Sequence, residues 1–242
     1  EDVEKDYDLM KKYYLMAIQL KHTGAMNNLG SYYQDVEKDY DLMKKYYLMA
    51  IELKHTGAMN RLGSYYQDVE NDYNLMKEYY LMAIELKHTG AMNNLGSYYQ
   101  DVEKDYDLMK KYYLMAIELK HTGAMNRLGS YYQDVENDYN LMKEYYLMAI
   151  DLKHTGAMFN LGSYYGDIEK DYDLMKEYYL MAIELKHTGA MLNLGSYYKN
   201  IENDYDLMKV YYLMAIELKH TGATFNLGLY YKNIEKDYDL MK

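Results

Sequence analysis

The chain has no proline, no cysteine and no tryptophan, and only two phenylalanines among its 242 residues. Without proline nothing forces a helix to kink or stop, so helices joined by short non-proline turns are expected. Without cysteine, disulfides and thiolate catalysis are excluded, and the composition suits a reducing compartment. Clustered positive charge is missing as well. Lysines alternate with Asp and Glu throughout, the net charge is −11, and a phosphate backbone would find no footprint, so nucleic acid is not an expected partner. Apolar runs such as Tyr46–Ile51 are too short to span a bilayer. No secretory signal is visible, so an intracellular location without membrane contact is expected. The chain opens at Glu1 in mid-repeat and without a Met, as an excerpt of a longer array would.

What the chain has in excess is tyrosine, 36 residues, and methionine, 21. Both fall into a strict repeat. His22, His55, His88, His121, His154, His187 and His220 mark a period of 33 residues, and Gly24–Thr56 serves as its reference copy. Repetition at this period predicts a stacked solenoid in which each unit buries its apolar face on its neighbours. No linker or composition break divides the array, so residues 1–242 are expected to form one domain with uncapped ends.

Each copy reads as two helices. The first spans Gly24–Tyr33, with Ala25, Met26, Leu29, Gly30, Tyr32 and Tyr33 on one face and Thr23 placed to cap its start. Gly30 sits mid-helix, where glycine costs about 1 kcal/mol against alanine. Its recurrence in seven copies implies that the second helix passes close by. The second helix runs over Tyr40–Leu53, with Leu42, Tyr46, Met49, Ala50 and Leu53 as its stripe and Met43 and Tyr47 widening it. Asp39 and Asp41 at its start and Lys54 and His55 at its end complement the helix dipole. Gln34–Lys38 is expected to be a brief polar connection. An eighth second helix would open at Tyr238.

Asn28-Leu29-Gly30 with Tyr33, then Asp39-Tyr40, then Tyr46-Tyr47-Leu48-Met49-Ala50-Ile51-Glu52, resembles the Sel-one-like (Sel1-like) repeat, the short-helix relative of the tetratricopeptide repeat. The resemblance covers essentially the whole chain. It implies an all-α, right-handed α-solenoid of stacked antiparallel helix pairs. The period is shorter than either family's, with the family's Gly-rich loop replaced by Gln34–Lys38, which leaves the superhelix pitch open. The Asp-Tyr-Asp-Leu-Met-Lys-Lys-Tyr-Tyr-Leu-Met-Ala-Ile wording is similar to that of Sel-one-like proteins of giant amoeba-infecting viruses. A consensus design is the competing source, although this chain lacks the polar caps and uniform copies of such designs.

The copies also differ from one another. Gly24–Thr56 and Gly90–Thr122 are identical, and Gly57–Thr89 and Gly123–Thr155 differ only at Glu85 against Asp151, so a 66-residue pair was itself duplicated. The last copies diverge at few positions. Asn27, Asn60, Asn93 and Asn126 give way to Phe159, Leu192 and Phe225. Ser31 and its equivalents end in Leu229, and Gln34 and its equivalents become Gly166, Lys199 and Lys232. The tetratricopeptide resemblance implies that these positions line the concave face. The candidate partner-binding residues are therefore Asn27, Asn60, Asn93, Asn126, Phe159, Leu192, Phe225, Leu229, Lys199 and Lys232. Apolar residues exposed there form a binding patch, whereas burial of Phe159 and Leu192 assigns them to packing.

Chemistry is thinly represented. Asp35, Glu37, Asp39 and Asp41 alternate as in a calcium loop, but the central Gly and closing Glu are absent, and helix capping is the expected role. One His per copy does not converge on a zinc ion, and a position at the end of the second helix accounts for it. No phosphate loop, nucleophile elbow or Ser/His/Asp order appears, and an active site is a unique constellation whereas these residues recur. The expected function is a non-catalytic scaffold, without metal or cofactor, that binds a protein or peptide segment on the concave face. The alternative is a structural component, a filament or shell, that self-associates through its solenoid ends.

Overall fold

The computed structural model describes residues 6–235. In chain order these form α1 (Tyr7–Gln19), α2 (Thr23–Tyr32), α3 (Tyr40–Glu52), α4 (Thr56–Tyr65), α5 (Tyr73–Glu85), α6 (Thr89–Tyr98), α7 (Tyr106–Glu118), α8 (Thr122–Tyr131), α9 (Tyr139–Asp151), α10 (Thr155–Tyr164), α11 (Tyr172–Glu184), α12 (Thr188–Tyr197), α13 (Tyr205–Glu217) and α14 (Thr221–Tyr230). Among the described residues there is no strand, and no helix is long and apolar enough to cross a membrane. The chain divides into two compact units, Glu1–His121 and Thr122–Lys242. Each is a stack of antiparallel helix pairs in which a ten-residue first helix packs on the thirteen-residue second helix that follows it. The helix expected from Tyr238 lies outside the described residues.

A glycine closes each pair. A Cβ added at Gly30 would lie 2.6 Å from the Tyr47 ring, and one at Gly63 would lie 2.7 Å from Tyr80. Gly96, Gly129, Gly162 and Gly195 face Tyr113, Tyr146, Tyr179 and Tyr212 in the same way. Ala25, Met26, Leu29 and Tyr32 from the first helix and Met43, Tyr46, Tyr47, Ala50 and Ile51 from the second complete the buried core of a pair. The stripe of the second helix is thus rotated from its expected position. Leu42 and Met49 are only half-buried, and Leu53 is exposed because it is the C-cap, at the helix end.

The turns also differ from expectation, for identifiable reasons. His55 is not satisfied at the end of α3 but is the N-cap of α4: its Nδ1 accepts the backbone N–H of Ala58 at 3.1 Å. His22, His88, His154, His187 and His220 cap their helices in the same way, and Thr23 lies inside its helix rather than capping it. The chain frees His55 for this role by ending α3 in a Schellman turn. Lys54 takes a left-handed conformation at φ 60°, its N–H bonds Ile51 at 2.8 Å and the His55 N–H bonds Ala50 at 3.0 Å.

Gln34–Lys38 is not an open loop. Tyr33–Glu37 continues the first helix as a π-helical turn, and the Asp39 N–H reaches back to the Tyr33 carbonyl at 3.0 Å. Asp39 then caps α3 by accepting the Leu42 N–H at 2.9 Å. The π turn carries Glu37 to the second helix of the preceding pair, where its carboxylate accepts from Lys11 Nζ at 3.0 Å and from the Tyr32 hydroxyl at 2.8 Å. Lys44, Tyr65 and Glu70 repeat the arrangement one copy on, as do Lys77, Tyr98 and Glu103, and Lys143, Tyr164 and Glu169. Of the acidic alternation singled out in the sequence, Asp39 thereby caps the second helix and Glu37 makes the inter-pair clamp, while Asp35 and Asp41 are exposed. Tyrosine rings fill the same seam: Tyr33 stacks on Tyr46 with centroids 5.6 Å apart, and Tyr7 leans on Tyr32 at 5.1 Å.

Two predictions follow from these contacts. Tyr47 is fully buried and its hydroxyl is held at both ends of its reach, so its ring cannot give way. Gly30→Ala should therefore lose about 1–3 kcal/mol to overpacking, more than the roughly 1 kcal/mol that alanine gains in a helix. At Gly228 no described atom lies within 4 Å of an added Cβ, so Gly228→Ala should instead raise the midpoint of thermal or urea unfolding. Equal effects at the two sites would remove the ring-contact explanation.

The second concerns pH. Burial holds the pKa values of His55, His88, His154 and His187 below the ordinary histidine value, and only an unprotonated Nδ1 can accept the capping bond. This stability is fully present above the unfolded pKa of about 6.5 and drains as pH falls through it towards the lower folded values. The hydrogen bond from Lys11 and then that from Tyr32 hold Glu37 low, and equivalent partners hold Glu70, Glu103 and Glu169 low. Their contribution is lost in a separate window below about 4.5. Melting temperature should therefore fall in two steps on acidification. Replacing all four histidines by Asn, a neutral N-cap, should erase the upper step only.

Candidate partner-binding face

The face built by the first helices begins with a buried phenol. Burial pushes the pKa values of Tyr47, Tyr80, Tyr146 and Tyr179 up, so each hydroxyl stays protonated and needs partners. Ser31 lies 3.2 Å from the Tyr47 hydroxyl, which donates to Gln34 Oε1 at 2.8 Å. Ser64 and Gln67 serve Tyr80, Ser97 and Gln100 serve Tyr113, and Ser130 and Gln133 serve Tyr146. The Ser and Gln ladders of the sequence are therefore not a free hydrogen-bonding surface. They satisfy the tyrosines that pack on the glycines.

The Asn positions form a second ladder. Asn94 Nδ2 donates to Asn60 Oδ1 at 3.2 Å in the first unit, and Asn160 Nδ2 donates to Asn126 Oδ1 at 3.1 Å in the second. Where the next copy carries Arg61 instead, Asn27 Oδ1 is buried without a hydrogen bond, while Arg61 lies near the Tyr47 hydroxyl. In the first unit Asn27, Gln34, Gly57, Asn60, Arg61 and Ser64 line one depression of about 470 Å³. The structure thus brings Asn27 and Asn60 together, half-buried. Asn93 and Asn126 are half-buried on equivalent positions of α6 and α8.

The apolar substitutions are not all free surface. Phe159 is half-buried: its ring stacks on His187 at 4.8 Å and on Tyr179 at 5.8 Å. Leu192 is half-buried beside Gly222. Phe225, by contrast, is 66% exposed. Leu229 and Lys199 are half-buried and Lys232 is exposed. Val210, on the outer side of α13, is exposed. Phe159 and Leu192 therefore shelter the start of the next first helix while keeping part of their surface open, and Phe225 stands largely exposed.

Gly166 has a structural consequence that its place in the repeat only hinted at. With the Gln side chain gone, the Tyr179 hydroxyl keeps Ser163 at 3.0 Å and takes a bond from Asn193 Nδ2 at 3.2 Å. A cavity of about 320 Å³ lies beside it, between the π-helical turns of two successive copies. The signal in the sequence was that Gly166 stands alone where the other copies carry Gln or Lys. The buried phenols that make the change matter were invisible there. Among the described residues no group of three or more His, Asp and Glu is placed to hold a metal ion.

Among curated proteins, none matches the chain in sequence. Solved structures do resemble it. A Sel1 repeat protein from Oxalobacter formigenes superposes with a TM-score of 0.66 at 24% identity, over 82% of this chain and 89% of that one. The protective antigen c5321 of uropathogenic Escherichia coli, which displays an SLR fold, gives 0.63 at 21% identity over 93% of this chain, and this chain spans only 52% of its length. Immunity protein Pa5087 from Pseudomonas aeruginosa gives 0.54 at 25% identity over 76% of each chain. The Sel1 repeat itself matches residues 23–55, 56–88, 89–121, 122–154 and 155–187 back to back. Each match starts within a residue of a first helix and takes in one helix pair. With more than half of its length in such matches, the chain belongs to the Sel1 repeat family.

Proposed function

We propose that this chain is a non-catalytic scaffold that binds an extended segment of a partner protein along the face lined by its first helices. Sel1 repeats are generally protein-interaction scaffolds. The supporting observation is the contrast at one helix position. Asn27 and Asn60 occupy it in the first unit with the same helix pairs formed, so the fold does not require Phe159, Leu192 or Phe225 in the second. Phe225, two-thirds exposed, and the open edges of Phe159, Leu192 and Leu229 supply the apolar anchors. Lys199 and Lys232 add positive charge at the following π-helical turns, suited to an acidic flank on the partner. The Tyr/Met/Asp/Lys-rich wording, similar to that of giant amoeba-infecting viruses, supports an intracellular partner, from host cell or virion.

The test is a peptide selected on the intact protein from a displayed library and measured by calorimetry. The triple substitution Phe159→Ala, Leu192→Ala and Phe225→Ala should weaken it at least tenfold, about 1.4 kcal/mol, with helical circular dichroism unchanged. Unchanged affinity refutes the anchors.

A further inference from the structure

The cavity beside Gly166 can be read against the other copies, which show what fills the same place. In four of them the Tyr hydroxyl donates to a Gln Oε1, at 2.8 Å for Tyr47, 3.2 Å for Tyr80, 2.9 Å for Tyr113 and 3.2 Å for Tyr146. The fifth copy keeps the phenol, the serine and the helix pair, and Asn193 Nδ2 donates to the phenol, but with Gly166 in the Gln place the chain supplies no carboxamide oxygen there to accept its proton. We propose that a glutamine or asparagine side chain of the partner segment occupies this pocket and supplies the missing carboxamide to Tyr179. This rests on the scaffold reading above and names one residue of the segment it binds.

The pocket suits that group. Its polar lining is mainly uncharged: the Tyr179 phenol and the Asn193 amide bonded to it, Ser196, which pairs with Tyr212, and the exposed Asn200 at its edge. A carboxamide matches them as both acceptor and double donor. One acidic and one basic residue, Asp167 and Lys170, line it, so the lining carries no net charge to favour a carboxylate or an ammonium. An aliphatic chain would offer the Tyr179 hydroxyl no acceptor in place of the Gln that the first four copies carry. The volume of about 320 Å³ holds one side chain rather than a cofactor. Met175 forms an adaptable wall, its sulfur 2.8 Å from where a Cβ on Gly166 would stand. The pocket also adjoins an apolar anchor, because the Phe159 ring stacks on Tyr179. The bound segment is therefore expected to place an apolar residue close to its Gln or Asn.

The copies supply the control variant too. Gly166→Gln installs the residue that the first four copies carry, so it should fold, fill the cavity and leave the other copies untouched. The probe is N-acetylglutamine N-methylamide, titrated into the isotope-labelled full chain while the Gly166 amide and Met175 methyl signals are followed. The expected result is a saturable shift with a dissociation constant on the order of millimolar. The leucine analogue should bind at least tenfold more weakly, and Gly166→Gln should show no response while retaining its helical spectrum. No saturation by about ten times that concentration, equal shifts from the glutamine and leucine analogues, or an unchanged response in Gly166→Gln overturns the proposal. The selected peptide separates this from the scaffold reading. A peptide weakened by loss of Phe159, Leu192 and Phe225 but indifferent to Gly166→Gln keeps the binding face and removes the pocket.

Discussion

The contact between a mid-helix glycine and a tyrosine ring sets the terms for the rest of the structure. Glycine is a poor helix residue, and the first helices that carry Gly30, Gly63, Gly96, Gly129, Gly162 and Gly195 accept it because the ring of Tyr47 or its equivalent lies where a Cβ would be. The two helices can then approach closely enough for Leu29, Met43 and Ala50 to exclude water completely. A ten-residue helix is marginal in isolation. Its stability comes from this packing, which explains how such short elements persist without proline or disulfide to stiffen the chain.

Choosing tyrosine for that ring brings an obligation. A phenol inserted into the core carries a hydroxyl that cannot be left unpaired, since burial of an unsatisfied polar group costs on the order of 1–3 kcal/mol. Ser31 and Gln34 discharge it, and their recurrence is a packing requirement rather than a binding preference. The same logic runs through the outer seam, where the Tyr32 hydroxyl is tied to Glu37 and Glu37 to Lys11. Rings such as Tyr47 and Tyr32 both fill space and hold the next polar group through their hydroxyls, which phenylalanine could not do.

The helix pairs were legible in the sequence because the 33-residue beat and the apolar spacing both survive in every copy, and Gly30 gave away the close approach before any coordinate was known. The turns were less legible. Lys54 in a left-handed conformation reads like any other lysine, and no glycine marks the Schellman turn. The shift of His55 from the end of one helix to the start of the next was hidden for that reason. The π-helical turn at Tyr33–Glu37 was hidden for a related one: its polar residues look like a loop, and their Tyr and Lys partners sit a full copy away. Of the site positions, the Phe and Leu substitutions were found by comparing copies. Their half-burial against the following helix depends on neighbours across the stack, which a linear pattern does not display.

Repetition also changes what a substitution signifies. In an ordinary domain, Gly166 would be one more glycine in a turn. Here four copies define the side chain that belongs there, the phenol it serves and the bond it makes, so its loss can be read as a specific missing group. Asn193 does not replace it. Asn193 donates to the Tyr179 hydroxyl, but Asn94 and Asn160 make the equivalent contact with Tyr80 and Tyr146 in copies that keep the Gln, so the accepting group is missing and the space is left open. The Met175 side chain takes up part of that place, its sulfur 2.8 Å from where a Cβ would stand, yet a cavity of about 320 Å³ remains. A gap kept polar and accessible beside Phe159 is the arrangement expected when the missing group is to come from another chain.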